Sequence, residues 1–135
     1  MCINETNLTQ VHSTKFLGVF VDQHLDWKEH INYISAKMAK NVGILILTRA
    51  FRLLPKTARI KLCYAIVFPY LSYCNIVWAS TYETSIRKLI VIQKRAIRII
   101  AGANYGSSTK QLFSDLNLLN MSLVVLTVIQ LSCII

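Results

Sequence analysis

A chain of 135 residues is one domain or part of one, long enough to bury about two-thirds of its unfolded surface. More than half of it is apolar and only 16% is charged, yet its net charge is +9. Such an excess suits an anionic partner, either nucleic acid or an acidic membrane surface. Four scattered glycines provide no phosphate cradle, and four irregularly spaced cysteines without a CxxC pair argue against a disulfide framework and for reduced thiols.

The cations have little local counter-charge. No acid lies between Glu29 and Glu83, where Lys37, Lys40, Arg49, Arg52, Lys56, Arg59 and Lys61 fall. None lies between Glu83 and Asp115, where Arg87, Lys88, Lys94, Arg95, Arg98 and Lys110 fall. No basic-then-apolar leader opens the chain, so no signal peptide is expected and the three Asn-x-Ser/Thr sequons carry no weight.

Residues 1–13 are polar and irregular, and are a candidate partner for the strand beyond them. Thr14 to Val21 is rich in β-branched and aromatic residues and reads as that strand. Gly18 within it suggests a bulge or a close backbone approach. Asp22 to Asp26 reads as a turn. Asp26, with Glu29 three residues on, has the spacing of a capping box that opens a helix from Trp27 to about Ala50. Its apolar stripe is Trp27, Ile31, Ile34, Met38, Val42 and Leu45. Lys40 points away from that stripe and Lys37 lies beside it.

Pro55 suits the first turn of a second helix, predicted to run to Val67, and Pro69 breaks or kinks it. Tyr70, Tyr73 and Trp78 could stack on bases, but their spacing suits core aromatics better. Ser80 or Thr81 is placed to cap a third helix, from about Tyr82 to Ala101, with Gly102 as its stop. One face of this helix carries Ile86, Leu89, Ile90, Ile97 and Ile100, with Gln93 in their midst. Arg87, Lys88, Lys94, Arg95 and Arg98 fall within about 120° on the other side. A solvated face usually mixes signs, so this one favours a polyanion. A loop over 103–108 and a short helix over 109–116 come next. The fold class expected is mainly α: a short N-terminal β element over residues 1–25, a helical bundle over 26–119, and an apolar helix over 120–135.

Catalytic chemistry is poorly supported. His24 and His30 flank a turn far from Cys63 and Cys74, which is not the pattern of a metal site. Asp22 and Asp26 are the only close aspartate pair, and a turn and a helix cap account for both. No catalytic residue is assigned.

Lys15-Phe16-Leu17-Gly18-Val19, then Asp22, Leu25, Trp27, His30 and Ile31, resembles the segment after the catalytic palm in reverse transcriptases of non-LTR retrotransposons, the jockey-like and related LINE elements. Leu54-Pro55 resembles that family's interhelical break. Pro69-Tyr70-Leu71-Ser72-Tyr73-Cys74 with Val77-Trp78 resembles its proline–tyrosine…tryptophan signature. Leu89 and Gln93-Lys94-Arg95-Ala96-Ile97-Arg98-Ile99-Ile100 resemble its basic helix, and Leu112-Phe113, Leu116 and Leu118-Leu119 the leucine-rich stretch after it. The resemblance covers residues 12–119. It implies that Phe16, Leu17 and Gly18 belong to the primer grip, which seats the end of the growing strand. It also implies that the succeeding helices form the thumb, which holds the template–primer duplex. Lys37, Lys40, Arg87, Lys88, Lys94, Arg95 and Arg98 are then the expected contacts to RNA or an RNA–DNA duplex, by geometry rather than by motif. The family's catalytic aspartate pair lies upstream, and no such string occurs here. The resemblance therefore implies a truncated copy or partial gene product that does not polymerise alone. It implies no cofactor for this segment, Mg2+ in the palm of a complete relative, the missing palm and fingers as partners, and an intracellular location, nuclear or cytoplasmic.

Two other readings compete. Leu62 to Tyr82 and Leu116 to Ile135 are uncharged and each is long enough to span a bilayer, as in a small basic membrane protein. Pro69 and several polar residues weaken the first stretch, and Asn117, Asn120 and Gln130 the second. The third reading is a folded remnant without activity, whose exposed apolar surface favours aggregation or docking.

Overall fold

A computed structural model describes residues 2–3, 6–7, 9–50, 53–118 and 120. It is mainly helical. Strands β1 (Cys2–Ile3) and β2 (Thr6–Asn7) pair antiparallel. Strands β3 (Ser13–Phe16) and β4 (Val19–Asp22) form a second antiparallel hairpin, in which Phe16 faces Val19 and Ser13 faces Asp22. Six helices complete the described chain: α1 (Lys28–Ala50), α2 (Lys56–Ile66), α3 (Phe68–Ser72), α4 (Asn75–Trp78), α5 (Glu83–Ala101) and α6 (Thr109–Asp115).

The single strand expected over Thr14–Val21 is instead folded in two. Leu17 and Gly18 both have positive φ, 47° and 84°, as a two-residue type I′ turn demands. The partner strand therefore comes from within the stretch. Gly18 marks the turn itself, where glycine meets the left-handed backbone without a Cβ penalty.

The start of α1 also differs from expectation. The Asp22 carboxylate, not Asp26 with Glu29, gathers the local donors. It accepts the N–H groups of His24 (3.1 Å), Asp26 (3.0 Å) and Trp27 (2.9 Å). Asp26 accepts the N–H of Lys28. Leu25 and Trp27 both take positive φ so that their neighbours' amides converge on one carboxylate. Burial would raise the Asp22 carboxyl, but the three backbone donors outweigh it and hold the carboxyl below its ordinary value.

The stretch Leu62–Tyr82 is not one span. Pro69 cannot continue α2, so the chain turns at Val67 and restarts as α3. Cys74, at φ 53°, then reverses it into α4. The part-buried carbonyl at the end of α2, Ile66, accepts from the side-chain amide of Asn41 on α1. Among the described residues no helix is long and apolar enough to cross a membrane. The expected apolar helix over 120–135, apart from Asn120, and most of the candidate span Leu116–Ile135 lie outside the described residues.

The core is one cluster. Ile31, Ile34, Met38, Val42 and Leu45 of α1 meet Ile86, Leu89, Ala96, Ile97 and Ile100 of α5, with Val67, Trp78 and Phe113 closing the ends. Each large aliphatic buried here contributes about 1.5–3 kcal/mol. The exposed Arg87–Glu83 pair, 3.6 Å apart on one face of α5, contributes about 0.3–0.5 kcal/mol. The apolar seam, not charge pairing, seats α1 on α5. The N-cap residue of α5 is Tyr82, which makes no side-chain cap bond, and Thr81, expected as a cap, donates instead to the Asp26 carbonyl at 2.6 Å. Gly102 ends the helix as expected, at φ 74°, with Ala103 N–H returning to Arg98 and Gly102 N–H to Ile99, a Schellman motif.

Candidate nucleic-acid interface

The hairpin is clamped to the helices at two points. In a hairpin with a two-residue turn, the pair beside the turn exchanges hydrogen bonds and the next pair does not. The Phe20 N–H therefore points away from its partner Lys15 and needs an acceptor. It finds Nδ1 of His30 at 3.4 Å. His30 is only 2% exposed, its ring lies 5.8 Å from that of Trp78, and burial holds its pKa below the ordinary value. The imidazole is thus neutral, with Nδ1 as acceptor.

The second clamp is at the tip. The hydroxyl of Tyr73, in the corner between α3 and α4, donates to the Leu17 carbonyl at 2.5 Å. Tyr73, expected in the core with Trp78, is half-exposed, and only Trp78 is fully buried. The indole Nε1 of Trp78 donates to the Tyr73 carbonyl at 3.0 Å. The neighbouring Cys74 holds the Tyr73 phenol above its ordinary value, and a protonated phenol is a donor. Between the hairpin, α1 and α3 lies a hollow of about 790 Å3, its wall formed by Leu17, Gly18, Tyr33, Tyr70 and Tyr73, with Lys15 at its edge.

The site residues expected from the sequence fall into separate groups. Phe16 and Leu17 stand out from the turn, 65% and 74% exposed, with Gly18 between the strands. Lys37 joins them rather than α5: its ammonium lies 5.6 Å from the Tyr33 ring centre, and Lys15 lies 5.1 Å from the same ring. Lys15 also lies 5.6 Å from Phe20. The sequence pattern does not announce this two-lysine, two-aromatic cluster, although the β3–β4 register puts Lys15 opposite Phe20.

A second group lines a trough between α1 and α5. These helices run parallel: Asp26 meets Thr81, Lys88 Nζ reaches Asn32 Oδ1 at 2.9 Å, and Arg49 approaches Gly102. The exposed Ala36 and Ala39 of α1 floor a shallow space of about 610 Å3, edged by Arg87 and Lys88 of α5. At about 1.5 Å per residue, Lys40 stands roughly 12 Å beyond Asn32 and Arg95 roughly 10 Å beyond Lys88. The two exposed cations are therefore at similar heights on neighbouring helices.

The remaining pair diverges from that trough. Lys94 faces α6, where with Lys110, Ser114 and Asn117 it lines a separate hollow of about 580 Å3. Arg98 turns to the loop beyond α5, its Nε donating to the Ser107 carbonyl and its guanidinium 5.5 Å from the Tyr105 ring. Among the described residues Arg87 is the cation with an acid at ion-pair distance.

The carboxylates do not fit a two-metal centre. Asp22 is committed to three backbone amides and Asp26 to one. Among the described residues no three His, Cys, Asp or Glu side chains cluster.

Comparison with known proteins identifies relatives. The chain is 29% identical over 115 residues to the RNA-directed DNA polymerase from mobile element jockey of Drosophila funebris, a match covering 84% of this chain. It shares distant homology with mobile-element reverse transcriptases. A second relative, the probable RNA-directed DNA polymerase from transposon X-element of Drosophila melanogaster, is 28% identical over 120 residues, 86% of the chain. The chain spans about 13% of the length of these reverse transcriptases. No protein-family model matches it, and no solved structure matches it significantly.

Proposed function

We propose that this chain is the duplex-holding segment of a mobile-element reverse transcriptase, with the β3–β4 hairpin as primer grip and the helical body over 26–119 as thumb. The catalytic palm and its Mg2+ belong, on this reading, to the rest of the complete polymerase, and this segment carries no catalytic residue. The observation that carries the reading is the homology to two RNA-directed DNA polymerases over more than four-fifths of the chain. The charge pattern agrees with it. Lys88 edges the trough between α1 and α5, the exposed Lys40 and Arg95 stand at similar heights beyond it, and Lys15 and Lys37 lie at the hairpin; among the described residues none of the five has an acid at ion-pair distance. Basic side chains so arranged grip phosphates without reading sequence.

The test is binding of an RNA–DNA duplex by the whole chain across a salt series. If about five cations meet phosphates, affinity falls on the order of 10²–10³-fold between 50 and 200 mM salt. Binding that is flat across the series would sink the proposal.

A further inference from the structure

We propose that Tyr73 is a positioning residue, whose hydroxyl fixes the attitude of the Leu17-Gly18 turn for meeting the end of a nucleic-acid strand. The inference rests on reading the β3–β4 hairpin as the primer grip, and adds the residue that aims it.

Four contacts and the backbone form a closed circuit. Leu17 is bonded by Tyr73, the Tyr73 carbonyl by Trp78, and the Trp78 ring packs on His30. His30 accepts the Phe20 N–H, and β4 leads from Phe20 back to Leu17 through Val19 and Gly18. Trp78 is wholly buried and belongs to the body of the molecule. Tyr73 is 51% exposed, so core packing does not explain its placement. Its hydroxyl reaches instead to a carbonyl of the turn. Its ring also lies 3.7 Å from where a Cβ on Gly18 would stand. Leu17 holds φ 47°, a conformation that a non-glycine residue keeps only when its surroundings impose it. The hydroxyl of Tyr73 is such a restraint. It keeps Phe16 and Leu17 outward, where their exposed side chains face a ligand rather than the core.

The experiment compares the whole chain with Tyr73→Phe, which removes the hydroxyl and keeps the ring. Two probes are used: an RNA–DNA duplex with a recessed DNA 3′ end, and the same duplex blunt-ended. The unsubstituted chain is expected to prefer the recessed end. The variant loses that preference, by about two- to tenfold, while its blunt-duplex affinity and salt slope stay unchanged, because no phosphate contact is removed. Without nucleic acid, amide exchange in the variant accelerates at Gly18 and Val19 and stays unchanged in α5. Gly18→Ala, which strains the same turn at φ +84°, reproduces the loss. A variant that keeps the preference, or weakens equally on both duplexes, overturns the positioning role. An unsubstituted chain that binds both duplexes alike overturns it too. A chain that binds neither overturns the primer-grip reading as well, which separates the two failures.

Discussion

Nδ1 of His30, in the first turn of α1, accepts the N–H of Phe20 from β4 at 3.4 Å. A protonated imidazole has no lone pair on Nδ1 and cannot hold this contact. Burial lowers the His30 pKa below 6.5 in the folded chain, so the unfolded chain takes up the proton first. Stability is therefore full above about pH 6.5 and declines as pH falls through the lower folded value. His30→Asn keeps an acceptor and does not titrate. Urea midpoints measured at pH 7.5 and 5 should differ less in His30→Asn than in the unsubstituted chain. An identical pH dependence would show that His30 carries none of it.

Asp22 has its own window. Its folded carboxyl lies below the ordinary 3.8, so its contribution is present above about pH 3.8 and is lost as pH falls through the lower folded value. Asp22→Ala leaves three amides without their acceptor and releases the positive φ of Leu25 and Trp27. The expected cost is about 1–3 kcal/mol in denaturant unfolding. Asp22→Asn, which retains one carbonyl oxygen, should cost less. Equal loss in Asp26→Ala would point to the wrong cap.

These two residues mark where the sequence was legible and where it was not. The helix over 83–101 could be read to within a residue, because its apolar and basic faces separate cleanly and Gly102 permits the left-handed stop. Asp26 with Glu29 had the spacing of a capping box, yet Asp22 won. That outcome depends on positive φ at Leu25 and Trp27, which no residue pattern announces. The hairpin was hidden for the same reason. Leu17 at the first turn position is a poor type I′ residue, and the usual Asn-Gly signal is absent. On α5, periodicity gave one basic face but not its flanking elements. α1 takes Lys88 and α6 takes Lys94, dividing that face between two hollows.

Asn117 ends α6 as Gly102 ends α5. It has φ 52°, Leu118 N–H returns to Phe113 at 3.0 Å, and Asn117 N–H returns to Ser114 at 3.0 Å. Asparagine tolerates the left-handed region and β-branched residues do not. Asn117→Val should destabilise by about 1–2 kcal/mol in thermal or urea unfolding, and Asn117→Gly should be neutral or stabilising. The reverse order would mean that the left-handed stop is not what the position selects.

Arg95 and Arg98, one turn apart on α5, should behave differently. Arg95 is exposed, at a height similar to that of Lys40 on α1, and among the described residues has no acid at ion-pair distance. Arg98 is half-buried and engaged by the Ser107 carbonyl and the Tyr105 ring. If Arg95 meets a phosphate, Arg95→Gln lowers the salt slope of RNA–DNA duplex binding by about 0.9 and leaves the unfolding midpoint nearly unchanged. Arg98→Gln instead loosens the loop over 103–108, costing about 1 kcal/mol of stability, with a smaller change in slope. Arg87→Gln falls between them, since Glu83 already offsets part of its charge. Binding across 50 to 200 mM salt, read beside a urea melt for each variant, separates the roles. A larger slope change in Arg98→Gln than in Arg95→Gln would place the phosphate contact on the α6 side of α5 and not in the trough.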